Sequence, residues 1–395
     1  SEGETVQHPD GSTVSTARDG TVTTTTTRPD PRLGVVAPVL GESRTRLPSG
    51  LTRRVQASRT VELAEPGNPF SLTRQTDTVT VNGKASTTVY EHLGGQRRRV
   101  HTSAAGRQRV ELLDERGRVV GLAIPGLAAV QYTYTAEGLL SSIVEGGRVT
   151  GFSYDALGRL AGVSDPLGRV TGYQYDAAGR LVRQILPDGR EILFTYDGSG
   201  NLTSLTPPSR PAHGFAYTAV NLQSEYAPPP VGPWDPATRY AYDGDGKLTQ
   251  VQRPDGQQVS FAYTGEGKLG SIASPLGSIT FSYDLQGRLA SIVTPDGQGL
   301  TWAYDGFLEK RVTSSGTVQG TLERVFDADF RVSQLRLNGQ ALASFAYDPD
   351  GLLTQAGPLS ITRHPQTGFW LGSTAGVVEE ARSYSSFGEL ESQEC

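Results

Sequence analysis

A seven-residue frame, Tyr-Asp-x-x-Gly-Arg-Leu, returns through most of this chain at steps of 20 or 21 residues. It is clearest at Tyr154-Asp155-Ala156-Leu157-Gly158-Arg159-Leu160 and Tyr175-Asp176-Ala177-Ala178-Gly179-Arg180-Leu181. It returns at Tyr196-Asp197 with Gly200, Tyr242-Asp243 with Gly246, Tyr283-Asp284 with Gly287, and Tyr347-Asp348 with Gly351. Tyr263 and Tyr304 keep the step, and worn copies fall at Leu113, Tyr134, Tyr217, Phe326, His364 and Tyr384. A fixed period of this length specifies a repeat architecture, in which each unit is one supersecondary element stacked on its neighbours.

Each unit carries two turn signals. Asp-x-x-Gly follows the Tyr, and Pro-Asp-Gly or Pro-Leu-Gly follows about half a period later, as at Pro166-Leu167-Gly168, Pro187-Asp188-Gly189 and Pro295-Asp296-Gly297. Proline presets φ, Asp bonds its own backbone, and Gly takes positive φ without a steric penalty. Two turns per unit leave two strand-length runs, which predicts an antiparallel meander without significant helix. The run before each Tyr alternates: Phe152 with Tyr154, Tyr173 with Tyr175, Trp302 with Tyr304. Alternation puts both aromatics on one face, where cross-strand pairs contribute roughly 0.2–1 kcal/mol each. The run after Gly-Arg-Leu places Leu160 and Val163 three apart, a spacing that one face accommodates only with a bulge. The fourteen registers from Leu113 to Tyr384 predict on the order of 26–28 strands, far beyond the ~10 at which open sheets curl. The strip must coil, either as a hollow shell or as a filled solenoid.

The frame resembles that of the YD-repeat family, which takes in bacterial Rhs proteins, wall-associated proteins, the insecticidal toxin-complex shell and animal teneurins. The likeness is close over about 113–390 and looser over 1–112, where fragments such as His8-Pro9-Asp10-Gly11 persist. It implies an all-β fold: a long antiparallel strip spiralling into a hollow shell that in bacterial members often encloses a C-terminal toxin. Residues 1–112 are expected to form an irregular β-rich lead-in and 113–395 the regular shell segment, interrupted by a Pro-rich loop at about 227–237. The Gly-Arg-Leu and Pro-Asp-Gly repeats favour the bacterial group.

Composition limits the remaining classes. A net charge of −5 and a pI of 5.7 argue against a nucleic-acid binder, which carries a clustered basic face. The run Arg97-Arg98-Arg99 is expected on a solvated loop. The one cysteine, Cys395, is the last residue, so disulfides do not staple the fold. No apolar run reaches transmembrane length. The absent methionine and the stop in mid-pattern after Leu390 read as a fragment of a larger secreted or cell-surface protein.

No catalytic constellation emerges. Gly265-Glu266-Gly267-Lys268-Leu269-Gly270 matches a dinucleotide fingerprint in letters, without its strand–helix setting. Asp243-Gly244-Asp245 and Asp348-Pro349-Asp350 lack the further acids of a calcium loop. The five histidines show no metal-ligand spacing. Catalytic, cofactor and metal residues are therefore expected to be none, and no cofactor is implied. In toxin-bearing relatives an Asp-Pro-x-Gly-Leu segment ends the repeats beside self-cleaving aspartates; Asp348-Pro349-Asp350-Gly351-Leu352 matches it, yet the pattern runs on past it, so it reads as an ordinary turn. The expected partner is the remainder of the same polypeptide, a toxin-like C-terminal cargo. The alternative is a teneurin-like adhesion or carbohydrate-binding scaffold for surface glycans, with Trp234 in the Pro-rich loop as candidate binding residue and Trp370 as a second exposed aromatic.

Overall fold

The structure is a computed structural model that describes residues 3–9, 11–230, 232–233 and 235–395. Strands number 36, from β1 (Glu4–Gln7) to β36 (Leu390–Glu394), with no helix among the described residues. Each strand pairs antiparallel with the next in sequence, so the whole chain is one uninterrupted meander. From β9 (Gln108–Leu113) to β36 there are 28 strands, the number that the fourteen registers require.

The repeat frame maps directly onto hairpins. β13 (Arg148–Tyr154) ends on the frame tyrosine, the Asp-x-x-Gly turn follows, and β14 (Leu160–Ser164) begins at the frame leucine. β14 then pairs β15 (Val170–Tyr175), which ends on the next tyrosine. Between β13 and β14 the register slips: Ser153 faces Gly162 but Tyr154 faces Leu160, leaving Ala161 as the extra residue of a bulge. The same slip recurs between β15 and β16 (Leu181–Ile185), where Gln174 faces Arg183 and Tyr175 faces Leu181. The bulge is what lets Leu160 oppose Tyr154 and Val163 oppose Phe152 on one face.

The earlier strands are longer. β3 (Val22–Asp30), β4 (Gly34–Arg46), β5 (Thr52–Leu63), β6 (Leu72–Val81) and β7 (Lys84–Leu93) run 9 to 13 residues. Pairing continues unbroken through β8 (Gln96–Thr102), β9 and β10 (Val119–Ala123). Arg97-Arg98-Arg99 sits inside β8, not on a loop: it pairs with β7 and β9 on both sides, so Arg97 and Arg99 share one face and Arg98 takes the other.

A second layer does not cover this sheet. Among the described residues, Leu47, Leu113, Ala237 and Ile361 are the only apolar side chains that are buried. The accessible surface is 23163 Å², against roughly 15,000 Å² expected for a compact chain of this mass. Both faces of the wall meet solvent, which excludes the filled solenoid.

The edges of the strip nevertheless meet where one coil overlaps the next. Turns after odd-numbered strands lie on one edge and turns after even-numbered strands on the other. The turn between β27 (Gly299–Asp305) and β28 (Leu308–Ser315) meets the turn between β4 and β5, where Asp305 accepts the Ser49 backbone N–H at 2.9 Å. The turn between β29 (Gly320–Phe326) and β30 (Val332–Leu337) meets that between β6 and β7, where Asp329 receives Lys84 and Asn82 at 2.5 Å each. The turn between β31 (Gln340–Tyr347) and β32 (Leu353–Ala356) meets that between β8 and β9. Finally, the turn between β35 (Val378–Tyr384) and β36 meets that between β12 (Leu140–Glu145) and β13, through Arg148 and Glu389 at 2.7 Å. In each case the partners stand 23 strands apart in the order of the meander.

Some turns also touch the neighbour 25 strands back. Ala128, in the turn that leads to β11 (Val130–Tyr134), donates its N–H to Ser386 O at 2.6 Å, and Gln108 N–H reaches Gln366 at 3.2 Å. One revolution is therefore about 24 strands, with the turns of one coil seated in the notches of the other. At ~4.8 Å per strand the girth is roughly 115 Å and the diameter roughly 37 Å. The 36 strands make about one and a half revolutions of an open spiral.

Candidate functional site

The frame residues form a ladder that runs along the wall. Each aspartate folds its own turn: Asp155 Oδ1 accepts the N–H groups of Leu157 and Arg159, at 2.9 and 3.0 Å. Asp176, Asp197, Asp243, Asp284 and Asp348 accept the equivalent pairs two and four residues on. The second carboxylate oxygen takes the arginine of the frame, as Arg159 Nε on Asp155 at 2.7 Å. The Arg159 N–H, with the guanidinium behind it, holds the Asp155 carboxyl below the usual range despite partial desolvation. Gly158 closes the turn at φ 76°, in the left-handed region that a side chain disfavours, and Gly179, Gly200, Gly246, Gly287 and Gly351 hold the same slot.

The same arginine reaches the next unit. Arg159 Nη1 donates to Asp176 O at 3.1 Å while its guanidinium lies 4.8 Å from the centre of the Tyr175 ring. Arg180 repeats this on Asp197 and Tyr196. The frame tyrosines other than Tyr217 in turn donate their hydroxyls to the carbonyl that opens the preceding even strand. Tyr154 bonds Leu140, Tyr175 bonds Leu160, Tyr196 bonds Leu181, Tyr242 bonds Gln223, Tyr283 bonds Leu269 and Tyr347 bonds Val332, all within 2.7–2.9 Å. Where the frame is complete, Asp, Arg and Tyr thus tie one unit to its neighbour, which gives a chemical reason for those three letters.

Worn copies keep the geometry with other atoms. His364 Nδ1 accepts the N–H groups of Gln366 and Thr367, at 3.2 and 3.0 Å, in place of a carboxylate. Asn201 stands where arginine is usual and donates to Asp197 Oδ2 at 2.9 Å. In one unit Leu352 occupies the arginine slot, so Asp348 has no local cation. Its second oxygen is met across the seam by Arg107 at 2.7 Å, and the same guanidinium pairs Asp350 at 2.5 Å. Asp350 further accepts Ser103 Oγ and the Ala105 N–H, at 2.7 and 2.8 Å. The Asp-Pro-Asp-Gly-Leu segment is thus a turn, as its position in the pattern implied, and it is also the anchor of the seam. The signal was in the sequence: Leu352 in the arginine slot leaves the second oxygen of Asp348 without a local side-chain donor.

Other candidates resolve differently. Gly265–Gly270 spans a turn and the start of a strand, with no helix to receive a phosphate. Asp245 pairs Lys247, and among the described residues no group of three potential metal ligands converges. Trp370 is not exposed: it is half-buried, its indole Nε1 is enclosed, and the guanidiniums of Arg382 and Arg363 lie 4.9 and 5.6 Å from the ring centre. Those cations occupy the surface on which a sugar would stack. Trp234 lies outside the described residues. No helix among the described residues is long and apolar enough to cross a membrane.

Known proteins supply the comparison. No curated protein sequence matches the chain. The fold is similar to that of the TcdB2-TccC3-Cdc42 complex, with a TM-score of 0.61 at 12% identity over 99% of this chain. It also resembles TcdB2-TccC3 without its hypervariable C-terminal region, TM-score 0.52, at 11% identity over 96% of this chain. The Photorhabdus luminescens Tc holotoxin pore gives 0.51 at 11% identity over 95%. At these identities the likeness is one of fold, and this chain spans only 24–26% of the length of those chains. The teneurin YD-shell family model matches residues 2–395. A single-layered spiral laddered by Tyr, Asp and Arg, matched by that model along nearly its whole length, places this chain in the teneurin YD-shell family.

Proposed function

We propose that this chain is a stretch of wall in a large secreted or cell-surface protein, bacterial in type. The wall encloses a C-terminal, toxin-like polypeptide of the same parent. The observation that carries the reading is the spiral itself: one layer thick, wet on both faces, and joined by turn-to-turn contacts where its coils overlap a revolution apart. Such a wall separates an interior roughly 25 Å across, once ~10 Å is allowed for its thickness. That space suits a cargo kept apart from solvent and protease.

The wall is proposed to be non-enzymatic. The frame aspartates are held in turns by two backbone N–H groups each, and Arg or Asn side chains occupy Asp155, Asp176, Asp197 and Asp284 further. A carboxylate held ionised in this way is a poor proton donor. Residues 1–112, with their longer strands, are proposed as a lead-in that supplies the lower rim on which the second coil sits, and 113–395 as the regular wall. The hypervariable C-terminal region of the TcdB2-TccC3 relative supports placing the cargo after the repeats.

Small-angle scattering on the isolated chain tests the container. The expected result is a pair-distance distribution of a curved wall with a depleted centre; a uniformly dense particle of compact dimensions would sink the reading. For the cargo, limited proteolysis of the parent should leave the segment after the repeats intact until the shell is unfolded. Its digestion at the rate of a free peptide would count against enclosure.

A further inference from the structure

We propose that a cavity of about 690 Å³ near the N-terminal end binds a nucleotide-sized phosphate ester. Strands β6, β7 and β8 make its floor. The loops after β3 and β5, carrying Arg32 and Phe70, and the turn after β9, carrying Glu115 and Arg116, make its rim. The long strands at this end hold those loops out over the floor, which the shorter hairpins further along do not.

The cavity opens on the tyrosine-bearing face. Tyr90 opposes Arg99, Arg99 opposes Glu111, Glu111 opposes Leu122, and Leu122 opposes Val130, two and four residues before Tyr132 and Tyr134. Directly opposed residues lie on one face of a sheet.

The charges in the cavity do not cancel. Asp77 is fully engaged, by Arg59 at 2.5 and 3.1 Å and by Gln75 at 2.8 Å. Arg99 is paired with Glu111 at 2.9 Å. That leaves Arg32, Arg97 and Arg116 opposed by Glu115 alone. Arg97 spends one nitrogen on the uncharged Asp114 carbonyl at 3.3 Å. Arg116 and Glu115 have no ion pair among the described residues, and Arg32 Nε is buried with no hydrogen-bond partner. Arg32 thus lines the cavity with hydrogen-bonding capacity that no protein acceptor uses. A guanidinium fork pairs with two oxygens at a time, and a phosphate chain offers oxygens to several forks at once, where a single carboxylate offers two and chloride none. Phe70, 91% exposed on the rim, and Tyr90 on the floor offer ring faces for a planar group beside the phosphates. The volume lies within the range of small-molecule sites, roughly 300–1,000 Å³.

Titration calorimetry on the whole chain, with tripolyphosphate and with ATP as probes at low salt, tests the site. Both should bind, with affinity falling as salt rises, and Arg32→Gln or Arg116→Gln should each weaken tripolyphosphate by about tenfold. Arg98→Gln, on the opposite face and paired with Glu91 at 2.6 Å, should leave binding unchanged. ATP should bind more tightly than tripolyphosphate, and Phe70→Ala should erase that difference. Far-ultraviolet dichroism confirms that each variant keeps its sheet. Absent binding of both probes, equal weakening by Arg98→Gln, or equally tight binding of citrate overturns the phosphate site. Equal affinity for ATP and tripolyphosphate overturns its preference for a ring.

Discussion

Replacing Arg107 with alanine should open the seam without unfolding the wall. The guanidinium is 14% exposed and pairs with Asp348 and Asp350, which are 12% and 16% exposed. Each charge-assisted bond is worth about 1.5–3 kcal/mol, and breaking a fully buried pair costs about 3–5 kcal/mol. Both carboxylates keep other donors after the change: Asp348 its two turn N–H groups, Asp350 the Ser103 hydroxyl and the Ala105 N–H. The expected loss is therefore about 2–3 kcal/mol of seam stability. Hydrogen exchange reads this directly, because Ser49, Ala105, Gln108 and Ala128 donate their amides across the seam. Protection at these amides should fall roughly 30- to 160-fold, the same free energy expressed as a ratio. Amides within 160–293 should keep theirs, since the bonds that cross the seam lie at the turns of β4–β13 and β27–β36. A double-mutant cycle with Asp350→Asn should show that the two losses do not add. Unchanged exchange at the four seam amides, or uniform loss of protection over the whole strip, would falsify the seam as a separate joint.

Acid should act on the same joint. Burial pulls the carboxyls of Asp329 and Asp350 upward, but Lys84 with Asn82, and Ser103 with Ala105 and Arg107, outweigh it; Arg148 lowers Glu389. Since all three are depressed in the folded state, their contribution is complete above the ordinary carboxylate pKa and is lost as pH falls through the lower native values. Seam exchange should thus rise only below about pH 4, and opening near neutrality would refute the assignment. Tyr175→Phe deletes the 2.8 Å bond to Leu160 and should cost about 1 kcal/mol in denaturant unfolding. Tyr217→Phe should change stability by less than about 0.5 kcal/mol, since that hydroxyl has no such partner among the described residues. Gly158→Ala, at φ 76°, should lower stability by about 1 kcal/mol; a neutral result by the same assay would mean that the turn relaxes out of the left-handed region.

Much of this architecture is legible in the residues, because the information is local. Asp155, Gly158 and Arg159 define one turn, Phe152 and Tyr154 one face, and the three-residue step from Leu160 to Val163 one bulge. The interlock of neighbouring units is partly legible: the frame places Arg159 and Tyr175, but not the guanidinium lying over the ring. The seam was out of reach. Ser49 and Asp305 are 256 residues apart, and what brings them together is accumulated twist, to which every hairpin contributes a little and which no motif encodes. The same holds for the cavity under Arg32 and Phe70, whose rim depends on how far five long strands overhang their neighbours. Leu352 in an arginine slot was the one local mark of a distant contact.

The seam has a bearing on how such shells vary in size. Turns of one coil seat between turns of the other, like gear teeth, with partners 23 and 25 strands behind. Meshing survives only if the number of strands per revolution stays even; an odd count would drive crest against crest. Girth can therefore change only by a whole hairpin at a time, about 9.6 Å of circumference or 3 Å of diameter. A lineage that duplicates or loses complete 20- or 21-residue units moves along that ratchet without disturbing the fit, whereas gain or loss of half a unit jams it.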